Sequence, residues 1–319
     1  MIEALVIGRV GVDLTPPTPR TTLAAAGSFV RAVGGFAGNI GTGLARLGIR
    51  TAVVSGVGDD GHGEHVRSFL AGEGIDGEWI VSRAGTRTQV AFFEVWPPDR
   101  FPVTFHRSAP APETGLTTGE VPARLLETTP VVIISGTLLA EEPSRSTTIS
   151  LLEARRATRL QRPVSWTILD LDWRPTLWPN PDVAPAFMAR AARLSDIVVG
   201  SDAEFDGVQQ NVMVDNETGP SLIVLKHGPE GVTLVTAAGR RSLPGIAVEV
   251  LCGIGAGDAL TAAFAAGLLR GLHPVDAVER GNAAGAIVAT RLMCSTAMPT
   301  PAEIDGMLAS TRAAIGGAI

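Results

Sequence analysis

At residues 255–258 the chain reads Gly-Ala-Gly-Asp and then runs into a helix of small residues over 259–269. Free backbone N–H groups at a helix start, with the positive end of the helix dipole, hold negative charge, and glycines let a phosphate approach the backbone. Asp258 falls in the first helical turn, where a carboxylate near such groups is normally kept ionised. Beside a phosphoryl site it can accept a hydroxyl proton. The same acid can also serve only to complement the helix dipole, and the small residues Gly255, Ala256 and Gly257 in front of it tilt the reading toward chemistry. A strand over 248–251 is expected to lead into this turn.

A second glycine-rich stretch runs from Gly34 and Gly35 to Asn39 and opens a helix that ends at Gly48, with Asp13 upstream after the first strand. Glycine pairs let a ligand lie against backbone, while Asn39 and Asp13 carry the donors and acceptors that polyol hydroxyls require. Read alone, Asn39 is more often a helix cap. Residues 56–61, Gly-Val-Gly-Asp-Asp-Gly, formally match a dinucleotide fingerprint, and Asp76 lies at about the expected distance. Against that reading, Asp59 and Asp60 would set two negative charges beside a pyrophosphate, and the motif does not follow the first strand. A structural strand-to-helix turn is the expectation there. A P-loop needs GxxxxGK[ST], but the only lysine, Lys226, stands between Leu225 and His227, so that route is excluded. The five histidines are scattered without an HExxH, and Cys252 has no identifiable activating base.

The elements that must position these residues follow from hydrophobic spacing. Short β-branched runs at 4–7, 51–55, 131–135, 167–169, 197–199 and 222–225 read as buried strands, with helical segments such as 39–47, 62–71 and 144–160 between them. This alternation predicts an α/β fold with a doubly wound, mainly parallel sheet flanked by helices. Residues 88–96 and 103–105, joined through Pro97, Pro98 and Asp99, break the rhythm and predict a hairpin outside the main sheet, suited to a lid. Further strands are expected at 232–235 and 246–251. No linker or repeat divides the 319 residues.

With 26 basic against 32 acidic residues the net charge is −6, which lacks the positive field of a nucleic-acid binder. The apolar helix at 259–269 is too short for a bilayer, which demands roughly 20 residues, and the stretch from Met1 to Val6 lacks the basic and apolar regions of a signal peptide, so secretion is not expected. Two cysteines 42 positions apart make neither a disulfide framework nor a metal cluster, and a reduced cytoplasmic setting fits.

Together these motifs resemble the ribokinase-like (PfkB-type) carbohydrate kinases over nearly the whole chain. One signature is Gly34-Gly35 through Asn39, then 44–48 (Leu-Ala-Arg-Leu-Gly) and 56–63; the other is Gly255-Ala256-Gly257-Asp258-Ala259. The resemblance implies one kinase domain over 1–319, with lid strands within 9–35 and 86–107 that cover the sugar and often pair in a homodimer. It implies Asp258 as catalytic base, with the N–H groups of Gly255, Ala256 and Gly257 around the transferring phosphoryl. Asp13, Gly34, Gly35 and Asn39 would hold the sugar. ATP would lie near Lys226, Gly228, Gly231 and Asn282, with Ser201 close to the phosphates and Glu204 assisting Mg2+ through water.

Two departures from the family pattern narrow the reading. Cys252, Gly253 and Ile254 replace the usual Asp-Thr-x, which puts monovalent-cation activation in doubt, and Ser201 replaces the Asn of Asn-x-x-Glu. At these places, and at 99–102, 105–107 and 170–178, the chain is similar to the 5-dehydro-2-deoxygluconokinases of inositol breakdown. Arg107 and Arg174 are then expected to face an acid sugar, because guanidinium groups pair bidentately with carboxylates. Each arginine can instead make a structural ion pair. The expected activity is transfer of the ATP γ-phosphoryl to a primary hydroxyl of a keto-deoxy sugar acid. The alternatives are a 2-keto-3-deoxygluconate kinase, a fructokinase or a ribokinase, and from other classes a dinucleotide oxidoreductase or an inactive sugar-binding protein.

Overall fold

The structure is a computed structural model that describes residues 1–159, 165–207, 214–215 and 217–316. Its first part contains β1 (Ala4–Ile7), β2 (Gly11–Thr15), β3 (Val30–Gly34), α1 (Phe36–Arg46), β4 (Thr51–Gly58), α2 (Gly61–Gly72), β5 (Ile80–Arg83), β6 (Val90–Phe93) and β7 (Val103–His106). Then come α3 (Ala123–Thr128), β8 (Val131–Ser135), α4 (Ser144–Ala157), β9 (Trp166–Asp170), α5 (Ala184–Leu194), β10 (Ile197–Ser201) and α6 (Asp202–Gly207). The last part holds β11 (Leu222–Lys226), β12 (Gly231–Thr236), β13 (Gly239–Pro244), α7 (Ala256–Leu269), α8 (Pro274–Ala289) and α9 (Pro301–Gly316).

Among the described residues a nine-stranded sheet runs in the order β13-β12-β11-β10-β9-β8-β1-β4-β5. It is parallel from β5 to β11 and antiparallel only at β12 and β13. The order reverses around β1, the doubly wound pattern in which ligands bind beyond the carboxyl ends of the strands. Alternation along each strand divides the core into two layers. Val6, Val53, Ile133, Ile168 and Val199 pack with α1, α7 and α8 on one face. Ile7, Val54, Ile134, Leu169 and Val198 pack with α4 and α5 on the other. Strands buried on both faces need continuous apolar runs, which is why they were legible as such.

A separate four-stranded sheet has the order β3-β2-β6-β7, and all its strands lie within the two stretches expected to form a lid. β6 and β7 pair antiparallel, as the predicted hairpin requires. One expectation is corrected. Residues 245–250 form no strand; the last strand of the large sheet is β13, beyond which Gly245 N–H donates to Glu230 O at 3.0 Å and Leu251 and Cys252 donate their N–H groups to Ala289 O at 2.8 and 3.0 Å. The period-two pattern there comes from Ile246, Val248 and Val250 lining a cleft, which alternates side chains as a sheet would. α4 ends at Ala157, and residue 160 of the expected helix lies outside the described residues. No helix among the described residues is long and apolar enough to cross a membrane.

Candidate active site

A cleft of ≈ 950 Å³ lies where the carboxyl ends of β9, β10 and β11 meet the start of α7 and the inner side of the small sheet. Its floor is the 255–258 turn. Gly255 caps α7 in the left-handed conformation (φ 85), and a Cβ there would stand 2.9 Å from Cys294 Cβ, so backbone sterics demand glycine. Gly257 sits in the first turn beside Lys226, whose Nζ would be 3.4 Å from an added Cβ.

Asp258 is partly buried at this helix start, and Asn39 Nδ2 donates to its Oδ2 at 2.7 Å. Asn39 is therefore no cap: it lies inside α1, whose cap is Gly35, and it ties α1 to α7. The carboxyl is not held in the ordinary ionised range, contrary to expectation. Burial and the neighbouring Asp172 carboxylate push it up to about 7, while the Asn39 bond and Lys226 pull the other way. A carboxyl set near neutrality suits a general base.

Behind Asp258 lies a charged row. Lys226 Nζ meets Asp170 Oδ2 at 3.2 Å, and Thr261 Oγ1 donates to the same oxygen at 2.9 Å. Burial disfavours the ammonium, but Asp170 and Glu204 outweigh it and hold Lys226 protonated above the ordinary lysine range. Asp172 accepts from Arg9 Nη2 at 3.0 Å and from Ser135 Oγ at 2.9 Å, with Arg174 Nε 3.4 Å away. Burial alone would raise Asp172, yet the Arg9 and Arg174 charges hold it below the usual range.

The expected sugar residues converge at the end of the cleft under the small sheet. Asp13, Gly35 and Asn39 line it; Gly34 lies behind, where a side chain would strike the Asp13 carboxyl. Burial raises Asp13 to about 6, opposed by the Cys294 thiol and by Arg9. Of the two expected arginines, Arg174 lines the cleft and is half-exposed. Arg107 does not line it, because its Nη2 is engaged at 2.7 Å by the buried carboxylate of Glu113. Arg9, which sequence spacing did not single out, takes a place there instead. Its only signal was a charged residue two positions after a buried strand.

At the other end stand Ser201, Glu204, Lys226, Gly228, Gly231 and Asn282. Ser201 N–H donates to Glu204 Oε2 at 2.7 Å and Glu204 N–H to Ser201 Oγ at 3.3 Å, so serine replaces asparagine without loss of the turn. Gly231 (φ 111) lies where a Cβ would strike Leu243 O, and Asn282 Nδ2 donates to Pro244 O at 2.8 Å. The fingerprint at 56–61 does not open onto the cleft. Asp60 caps α2 through Gly63 N–H at 2.9 Å and accepts from Thr88 N–H at 2.9 Å, and a Cβ at Gly58 would press on Thr88 N at 2.5 Å. Gly56 and Gly58 are there for close backbone packing, and the motif is a structural turn.

Comparison with known proteins shows the family and the fold. A model described as pfkB family carbohydrate kinase matches residues 1–301. A 5-dehydro-2-deoxygluconokinase of Clostridium beijerinckii is 32% identical over 320 residues, covering 96% of this chain and 93% of that protein. One from Shouchella clausii is 29% identical over 316 residues, covering 96% and 95%. Among solved structures, a PfkB protein from Polaromonas sp. JS666 superposes with a TM-score of 0.80 at 25% identity, covering 96% of this chain and 99% of that one.

Proposed function

The chain belongs to the pfkB family of carbohydrate kinases, and from that premise we propose that it phosphorylates a keto-deoxy sugar acid, 5-dehydro-2-deoxygluconate foremost, with ATP as donor. The observation that carries the mechanism is the Asp258 carboxyl, set near neutrality at a helix start and oriented by Asn39. In the reaction the primary hydroxyl oxygen forms a bond to the γ-phosphorus while the bond to the β,γ-bridging oxygen breaks, releasing ADP. The hydroxyl proton passes to Asp258. The N–H groups of Gly255, Ala256 and Gly257 and the dipole of α7 stabilise the charge on the phosphoryl oxygens. Lys226 supplies a fixed positive charge beside Gly257, and Gly228, Gly231 and Asn282 border the nucleotide.

Magnesium fits as a partner of the ATP phosphates, whose charge it neutralises when bound. Among the described residues no group of three or more His, Cys, Asp or Glu could hold a metal, and Glu204 would be the residue that assists the ion, through water. Cys252, Gly253 and Ile254 offer no side-chain oxygen, so turnover is expected to be insensitive to exchange of potassium for sodium. Free, buried Cys252 and Cys294 favour a reducing cytoplasm. The small sheet acts as the lid of a single kinase unit, and its exposed Phe29 and Val103 are the surface on which a second copy would pair.

The substrate reading rests on the names of the curated relatives and on cleft arginines, since a neutral hexose gives a buried guanidinium no anionic partner. Comparing kcat/KM for 5-dehydro-2-deoxygluconate, 2-keto-3-deoxygluconate, fructose and ribose tests it. The expected order has the 5-dehydro acid first, and a clear preference for a neutral sugar would overturn the acid reading.

A further inference from the structure

Three buried polar atoms at the sugar end of the cleft, Arg9 Nε, Asn39 Oδ1 and Gln89 Oε1, have no hydrogen-bond partner among the described residues. All three residues line the cleft, and they are 5%, 4% and 3% exposed. Burying such groups unpaired is costly, and in a binding site the partner is the ligand. Their chemistry is directional. The Asn39 amide is oriented by its donation to Asp258, so its free atom is an acceptor; Gln89 presents another acceptor. Both match sugar hydroxyls. Arg9 Nε–H is a charged donor and matches an anionic oxygen.

Arg9 is also held rigidly. Its Nη2 contacts both oxygens of Asp172, at 3.3 and 3.0 Å, and its guanidinium lies 5.8 Å from the centre of the Phe105 ring contributed by the small sheet. Asp172 is shared with Arg174, so two guanidinium charges face one carboxylate. Arg174 also has the Glu204 carboxylate 4.0 Å away, whereas the Nε–H of Arg9 is left unpaired among the described residues.

We propose that Arg9, in the place expected for Arg107, is the specificity-determining residue that binds the substrate carboxylate through its Nε–H, with Asn39 and Gln89 accepting from hydroxyls. The proposal rests on the acid-sugar reading above and deepens it. Arg107 is committed to Glu113 and cannot serve without breaking a buried pair.

The test compares wild type, Arg9→Gln and Arg9→Lys on 5-dehydro-2-deoxygluconate and on fructose, a neutral ketose, reading kcat and KM separately. Loss of a charged hydrogen bond predicts that Arg9→Gln lowers kcat/KM for the acid by about 10²-fold, mostly through KM, with fructose changed less than about threefold. Arg9→Lys keeps the charge on Asp172 and serves if the glutamine variant does not fold. It should lose acid preference to a smaller degree. Equal losses on both sugars, the result of a merely structural role or of binding a keto oxygen, overturn the proposal, as does an unchanged acid preference in either variant. If wild type itself prefers fructose, the acid-sugar reading fails and the proposal falls with it; if wild type prefers the acid and the variants do too, only the assignment to Arg9 fails.

Discussion

Asp258 joins two properties that pull in opposite directions. Its carboxyl is raised from the ordinary 3.8 to about 7, so between these values the folded protein binds a proton that the unfolded chain has released. Stability contributed by this group is therefore present at low pH and declines as pH rises through about 7. As a base, however, it works only when deprotonated, so kcat/KM should fall on the acid side of about pH 7. Asp258→Asn accordingly lowers kcat by about 10²- to 10⁴-fold and removes that acid limb from any residual activity. The same variant should melt higher than wild type at pH 8 and lose this advantage near pH 4, as thermal melts at the two pH values would read out. Turnover near wild type removes Asp258 from the mechanism. That Asp258 stands in the first turn of a helix entered through a glycine was legible in the sequence, because the small residues before it announce such a turn. Its raised pKa was not, since Asp172 and Asp170 approach it only through the fold. Arg9 and Arg107 exchange places for the same reason: a guanidinium's partner, here Asp172 or Glu113, is a tertiary fact.

At the scale of elements, the start of α7 separates two glycines that look alike in sequence. Gly255 is left-handed and crowded by Cys294, whereas Gly257 is helical and has Lys226 at ordinary contact distance from an added Cβ. Gly255→Ala should cost about 1–3 kcal/mol of stability from the backbone conformation alone, measured by denaturant unfolding. Gly257→Ala should leave stability unchanged or raise it by up to ~1 kcal/mol, as helix propensity requires, yet reduce kcat because the methyl group stands where a phosphoryl oxygen meets the N–H groups. An active Gly257→Ala enzyme would show that the phosphoryl group does not lie against this turn. Buried strands such as β1 and β8 were read with their observed bounds, since apolar runs flanked by helices have one packing solution. Residues 245–250 were misread because a cleft wall and a strand impose the same alternation. The 56–61 turn was read as structural, and Asp60 supplies the physical reason by capping α2 and holding Thr88.

At the scale of the whole molecule, the small sheet meets the large one through a satellite core. Ala32, Phe93 and Val95 from the sheet region pack with Cys252 and Met293 from the body, and Phe101 joins them from the β6–β7 connection. The Phe101 ring is placed so that a Cβ on Gly253 would meet it at 3.0 Å, directly ahead of the 255–258 turn. Phe105, within β7, brings the small sheet to Arg9. A kinase must keep water from taking the phosphoryl group meant for the sugar, and an apolar ring beside the turn would exclude it. Phe101→Ala removes that cover while touching only a partly buried side chain, so the melting temperature should change little. We expect the sugar KM to rise about tenfold and ATP hydrolysis in the absence of sugar to rise relative to sugar phosphorylation, since water gains the access the ring denied. Measuring ADP release against sugar phosphate formed gives this coupling directly. An unchanged ratio in Phe101→Ala would mean that the small sheet does not shield the transfer, and its contact with Gly253 would then be packing alone.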